Sequence, residues 1–194
     1  VEAFRHMLNY NHEQAIACFT KCAELDPNCA MAWWGIAYCL SSSYNWSAGL
    51  GPGYDAISQA VSLKDHCSEL EQDLIMALSK RHTKEARDNA NPAALNMGNS
   101  PELNQAFAEA MAPLYEKYNG NLDVTAIYVE ALMNLNPWTL WNKDAASGEI
   151  TPVDDSTLML IKIMEDAFEN LPAAKEHPAL SNLYCHALES VSNT

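Results

Sequence analysis

Two residues of this 194-residue chain stand where apolar side chains are expected. Glu130 and His186 each precede a small alanine (Ala131 and Ala187) in a helical segment, and the matching position before Ala37 is Ile36. A carboxylate and an imidazole at buried slots are costly unless they pair with each other, with water or with a metal. Three readings follow: a polar pair satisfied inside the core, a ligand or metal site, or a register off by one helical turn. Glu189 lies three residues beyond His186 and shares its helix face. One imidazole and two carboxylates would suit a divalent transition metal, able to polarise a substrate or activate water. His12, beside Glu13, is a fourth candidate ligand, with helix entry as its plainer role. His177, ahead of Pro178, reads as an exposed turn residue, and Cys185 points elsewhere on the last helix.

A second group, Trp34, Tyr38, Trp138 and Trp141, suits binding rather than reaction, because large aromatic rings anchor partners when a surface presents them. With Trp33 packed inward, Trp34 falls on the side of its helix that would line a concave face. The segment 136–154 either presents Trp138 and Trp141 or folds back to cover them. The chain has no Gly-rich phosphate loop, no GxSxG elbow and no zinc-finger spacing.

The elements that must position these residues read as helices throughout, with no alternation that calls for a strand. The expected helices are 2–10, 12–25, 29–42, 53–63, 68–82, 101–118, 123–135, 155–170 and 179–190. Segment 43–52 is a long turn carrying Tyr44 and Trp46, 84–100 is an exposed connection, and 136–154 is irregular. In the second helix and the turn after it, Ala15, Phe19, Cys22 and Pro27 follow one another at offsets 4, 3 and 5. In the next helix, Trp33, Ile36, Ala37 and Leu40 supply bulky, bulky, small and bulky positions. This pattern resembles the tetratricopeptide (TPR) repeat, a pair of antiparallel helices about 34 residues long. Small residues let helices approach, large ones fill the gaps, and Asp26-Pro27 ends the helix. The resemblance implies an all-α, right-handed solenoid of helix pairs over residues 1–194, a single domain expected to belong to a longer protein.

Composition narrows the functional classes. Eleven basic against 25 acidic residues give a formal charge of −14, which repels phosphate backbones and anionic lipid. Nucleic acid and membrane surfaces are therefore poor partners. No run of about 18 apolar residues is present to span a bilayer. Six cysteines without a CxxC pair read as small apolar side chains in a reducing, cytoplasmic setting, with Cys22 in the place of the usual alanine. The sequon Asn45-Trp46-Ser47 points weakly the other way.

Longer strings are similar to a family of TPR-repeat proteins without an assigned activity. They are Asn11-His12-Glu13-Gln14-Ala15, CAMAWWGIA (29–37), EALMNLNPWTLW (130–141) and HPALSNLYCHALE (177–189). In that family the last run resembles HPGANHYYIHAVE and precedes a histidine-rich HMPSH segment, which implies a metal or small-ligand site. His12, Glu130, His186 and Glu189 are the matching positions here. Asn182 stands where the family carries its middle histidine, and no HMPSH segment is present. The leading expectation is a scaffold that holds a protein or peptide on its concave face. A divalent-metal protein or metal-dependent enzyme is the second expectation, and a structural part of an assembly the third.

Overall fold

The computed structural model describes residues 1–41, 43, 44, 52–88, 100–189 and 191. The sequon at Asn45 and most of the 84–100 connection lie outside these residues. Ten α-helices occur among the described residues: α1 (Glu2–Leu8), α2 (His12–Leu25), α3 (Ala30–Cys39), α4 (Pro52–Leu63), α5 (Glu69–Ser79), α6 (Lys84–Asp88), α7 (Pro101–Lys117), α8 (Leu122–Met133), α9 (Asp155–Asn170) and α10 (Pro178–Leu188). The chain is all-α in class.

Local chemistry starts several of these helices. Ser68 accepts from the Glu71 amide while the Glu71 carboxylate reaches back to the Ser68 amide, a reciprocal cap on α5. Asp154 caps α9 through the amides of Ser156 and Thr157, and Asn121 caps α8 through Val124. Pro101 and Pro178 occupy first helical positions, where a missing N–H costs nothing. His177, expected on an exposed turn, is instead the cap of α10. Its Nδ1 accepts from the Leu180 amide and its Nε2–H faces Asp123 at 3.1 Å.

Two helices depart from a one-faced pattern. In α3 every residue from Trp34 to Cys39 is buried, and in α8 every residue from Val124 to Met133 is buried. A helix apolar on all sides has to be enclosed on all sides. Accordingly, α3 packs against α1, α2, α4 and α5, while α8 packs against α7, α9 and α10. Gly35 permits the tightest of these approaches, because a Cβ there would overlap the Phe19 ring of α2. The buried face of α2 is Ala15, Phe19 and Ala23, a spacing of four. Cys22 is therefore exposed, not the small buried residue expected, and Cys185 is exposed as well.

Segment 136–154 is not irregular. Strands β1 (Trp141–Lys143) and β2 (Ile150–Pro152) pair antiparallel, with Trp141 opposite Pro152. Asp144 organises the turn by accepting from the Ala146 and Ser147 amides, and Gly148 takes φ +73. No helix among the described residues is long and apolar enough to cross a membrane.

Candidate functional site

The residues singled out in the sequence gather at two places. The first is the inner end of α8. Glu130 is 5% exposed, and its Oε2 accepts a short 2.5 Å hydrogen bond from the Tyr38 hydroxyl of α3. Tyr10, between α1 and α2, lies beside the same carboxyl and interacts with it. Burial pushes the Glu130 carboxyl above its usual range, opposed by the Tyr38 bond, by neighbouring His12 and Arg81, and by Tyr10. Both phenols are held far above their ordinary values by burial and by the same carboxyl. Burial, with Glu130 nearby, also pushes the Cys39 thiol up to about 12, so it stays protonated. A cavity of about 10 Å³, the size of one water, opens beside Tyr10, Tyr38 and Glu130 and is otherwise apolar, closed by Met7, Ile127 and Ala179.

Around that carboxyl the backbone is tied in. Arg81 Nε donates to Asn104 Oδ1 at 3.1 Å, Asn104 Nδ2 donates to the Asn134 carbonyl, and Asn134 Nδ2 donates to the Glu130 carbonyl. The relay joins the end of α5 to α7 and α8, and the Arg81 guanidinium lies over the Phe107 ring. His12 closes the other side. Its Nδ1 meets the Cys39 carbonyl at 3.2 Å, and a carbonyl can only accept, so the proton is on Nδ1. The buried Nε2 makes no hydrogen bond.

Next to this centre, Ser41 Oγ and His82 Nε2 are 2.7 Å apart, a spacing that suits a nucleophile and its base. The pair is arranged the other way round. The single hydroxyl proton goes to the Ala37 carbonyl at 2.9 Å, so the imidazole donates and Ser41 is not activated. Burial and the adjacent Arg81 lower the His82 value to about 4, and the ring is neutral. Gly53 makes room for it, since a Cβ there would overlap the ring.

The second place is at the surface. Trp138 is 63% exposed and stacks on buried Tyr44, with ring centres 5.2 Å apart. His186 of α10 tilts against the same Tyr44 at 5.7 Å, and its Nδ1 is 3.2 Å from Glu189 Oε2. Trp141 is half-buried and donates from Nε1 to the Ala187 carbonyl at 2.7 Å, which pins the hairpin to α10. Tyr10 and Trp138, at φ 57 and 66, are the non-glycine residues in left-handed backbone among the described residues, and each belongs to one of the two places.

Several expectations change accordingly. Trp34 does not line an open face. It is 1% exposed, donates to the Leu74 carbonyl and stacks between Phe4 and Tyr38, because α3 is enclosed on every side. Tyr38 is likewise internal. Glu130 and His186 lie on packed neighbours, α8 and α10, but the Glu130 carboxyl faces the phenols while His186 faces Tyr44. The four residues suggested as metal ligands thus divide into His12 with Glu130 and His186 with Glu189. Among the described residues no group of three or more His, Cys, Asp or Glu side chains converges as a transition metal requires. Tyr10, Arg81, Asn104 and Tyr44 were not apparent from spacing, because their partners are remote in the chain. No protein-family model, curated protein or solved structure matches the chain.

Proposed function

We propose that this chain is a TPR-like helical-repeat scaffold that binds a protein or peptide, with the Trp138 face as its contact surface. The packing supports the repeat reading: apart from the short α6, which lies on α4, the helices pack on their neighbours in chain order, and α1 on α3, α3 on α5 and α8 on α10. That is the adjacency of stacked helix pairs. The observation that carries the binding reading is Trp138 itself. A tryptophan left 63% in water, seated on a buried tyrosine, gives up apolar burial that a partner restores. Trp34 and Tyr38, enclosed in the core, take no part in that contact. The Glu130 centre serves as the polar lock that registers α3 against α8.

Selection of a random peptide library on the intact chain tests this reading. Enriched peptides should lose binding to a Trp138→Ala variant whose helical circular dichroism is unchanged. Peptides that bind the variant equally well would place the contact elsewhere.

A further inference from the structure

The hairpin that follows Trp138 leaves half of one strand's hydrogen-bonding capacity unused. The Val153 N–H donates to the Leu140 carbonyl, the Asp144 N–H donates to the Glu149 carbonyl, and the register sets Asn142 opposite Thr151. Bonded and non-bonded pairs alternate along an antiparallel ladder, so Leu140, Asn142 and Asp144 turn their backbone groups towards β2. The N–H and C=O of Trp141 and Lys143 then point the other way, along the outer edge of β1. None of these four groups bonds to the backbone of another described residue. Residues 142–149 are exposed throughout.

The two outer edges differ. On β2 the outward-facing residues are Ile150 and Pro152; the proline has no N–H to offer, and α9 packs against the strand. Edges blunted in this way resist pairing. The β1 edge carries no proline and keeps its donors and acceptors, a template for an added strand. Two outward-facing residues hold such a strand only weakly, and a second anchor is at hand. Trp138 precedes Trp141 by three residues, within about 11 Å along the chain. A hollow of about 460 Å³ lies beside the hairpin, lined by Asn142, Lys143, Asp144, Ser147, Glu149 and Thr151. Asn142, Asp144, Glu149 and Thr151 share one face of the hairpin, so alternate side chains of an added strand meet two carboxylates there. Bonds from Ser147 and Ala146 hold the Asp144 carboxyl below its usual range and keep it charged. Two carboxylates against the one ammonium of Lys143, on a chain of net charge −14, favour a basic segment and disfavour a second copy of the chain.

We propose that the outer edge of β1 receives an extended, basic segment of a partner protein as a third strand, with Trp138 holding the segment where it leaves the edge. Backbone pairing selects the extended shape, the Asp144–Glu149 face selects positive side chains, and the indole supplies the apolar contact. This rests on the binding reading above and adds the form and charge of the bound segment.

The test is titration of the full chain with a blocked nonapeptide of alternating lysine and valine, followed by tryptophan fluorescence and calorimetry. Lys143→Pro removes one outward N–H and leaves the hairpin's own ladder intact, and Lys143→Gln controls for the lost charge. The peptide should bind Lys143→Pro about tenfold more weakly than Lys143→Gln, and Trp138→Ala about tenfold more weakly than the native chain. Where Lys143→Pro melts lower than Lys143→Gln, peptides N-methylated at every valine or at every lysine take its place. One of the two should lose binding about tenfold and the other keep it, because only alternate amides face the edge. Any other pattern, or equal binding to a folded Lys143→Pro and to Lys143→Gln, would overturn strand addition; continued loss in Trp138→Ala would leave the binding face standing. Equal binding of a peptide of alternating glutamate and valine would overturn the basic partner. A native dimer in sedimentation that Lys143→Pro dissociates would give the edge to a second copy and overturn the proposal. If the lysine–valine peptide does not bind, the inference fails; if library peptides fail as well, the binding reading fails with it.

Discussion

The Glu130 centre and the Trp138 face use the same materials, an acidic side chain, tyrosine and a nearby histidine, and put them to opposite ends. At Glu130 the carboxyl is enclosed, and Tyr38, Tyr10, His12 and Arg81 surround it. At Trp138 the carboxylate and the ring are half in water, with Tyr44 stacked beneath the indole. In the enclosed site each group needs its neighbours to tolerate burial, so disturbing one should be felt as instability. In the open site the groups do not need each other to fold, so disturbing one should be felt as lost binding. What separates the enclosed cluster from the proposed binding cluster here is exposure, not composition.

The sharpest way to break the comparison is Glu130→Gln. The substitution keeps the shape but leaves Arg81 as an uncompensated buried charge, and about 3 kcal/mol or more of stability should be lost. Adding Arg81→Met should recover part of that loss, as a charge pair removed together would. Denaturant melts of the three variants measure this, and elemental analysis of the same samples checks the assignment. Near-stoichiometric metal that disappears in both Glu130→Gln and His12→Ala would turn the lock into a ligand set.

Acid acts next. His82 is near 4 when folded against an ordinary value of 6.5, so the unfolded chain binds the extra proton first. Its stabilising contribution is complete above about pH 6.5 and is lost as pH falls towards 4, about 3 kcal/mol in all. Glu130 has the opposite sign. Its raised value gives a contribution present below the ordinary carboxyl range and lost as pH rises through the folded value, which offsets part of the slope. The difference in melting between the native chain and His82→Gln from pH 7 to pH 4 isolates the histidine. Equal slopes would mean that the ring is not held neutral.

The smallest effect on stability should come from Trp138→Ala. Only a stacked ring contact at the surface is lost, and the cost should not exceed about 1 kcal/mol. A loss comparable with that of Glu130→Gln would make Trp138 part of the core and erase the contrast.

The helices were legible because local chemistry writes them. The bounds 12–25 and 155–170 fall where periodicity and Pro27 put them, and the Asp154 side chain caps the second helix. The hairpin was not legible, because three-residue strands are too short to alternate; the Asp144 turn and Gly148 were its local signs. Trp34 was misplaced for a different reason. A repeat pattern assigns one open side to each helix, whereas α3, apolar all round, has none. Glu130 and His186 stood out as polar residues at apolar slots, but spacing could not pair them with their neighbours. Tyr38 is 92 residues from Glu130, and the Glu130 partners Tyr10 and Arg81 come from two further stretches of chain.

That separation of 92 residues bears on how the molecule comes apart. In an array held only by contacts between successive units, either end can fray while the other persists. A hydrogen bond from α3 to α8, sealed by residues from the start and the middle of the chain, couples the two halves. Opening either enclosed helix exposes the carboxyl to water and removes the phenols' acceptor. Amide protons of α3 and α8 should therefore exchange together, at the free energy of global unfolding, rather than as a gradient along the chain.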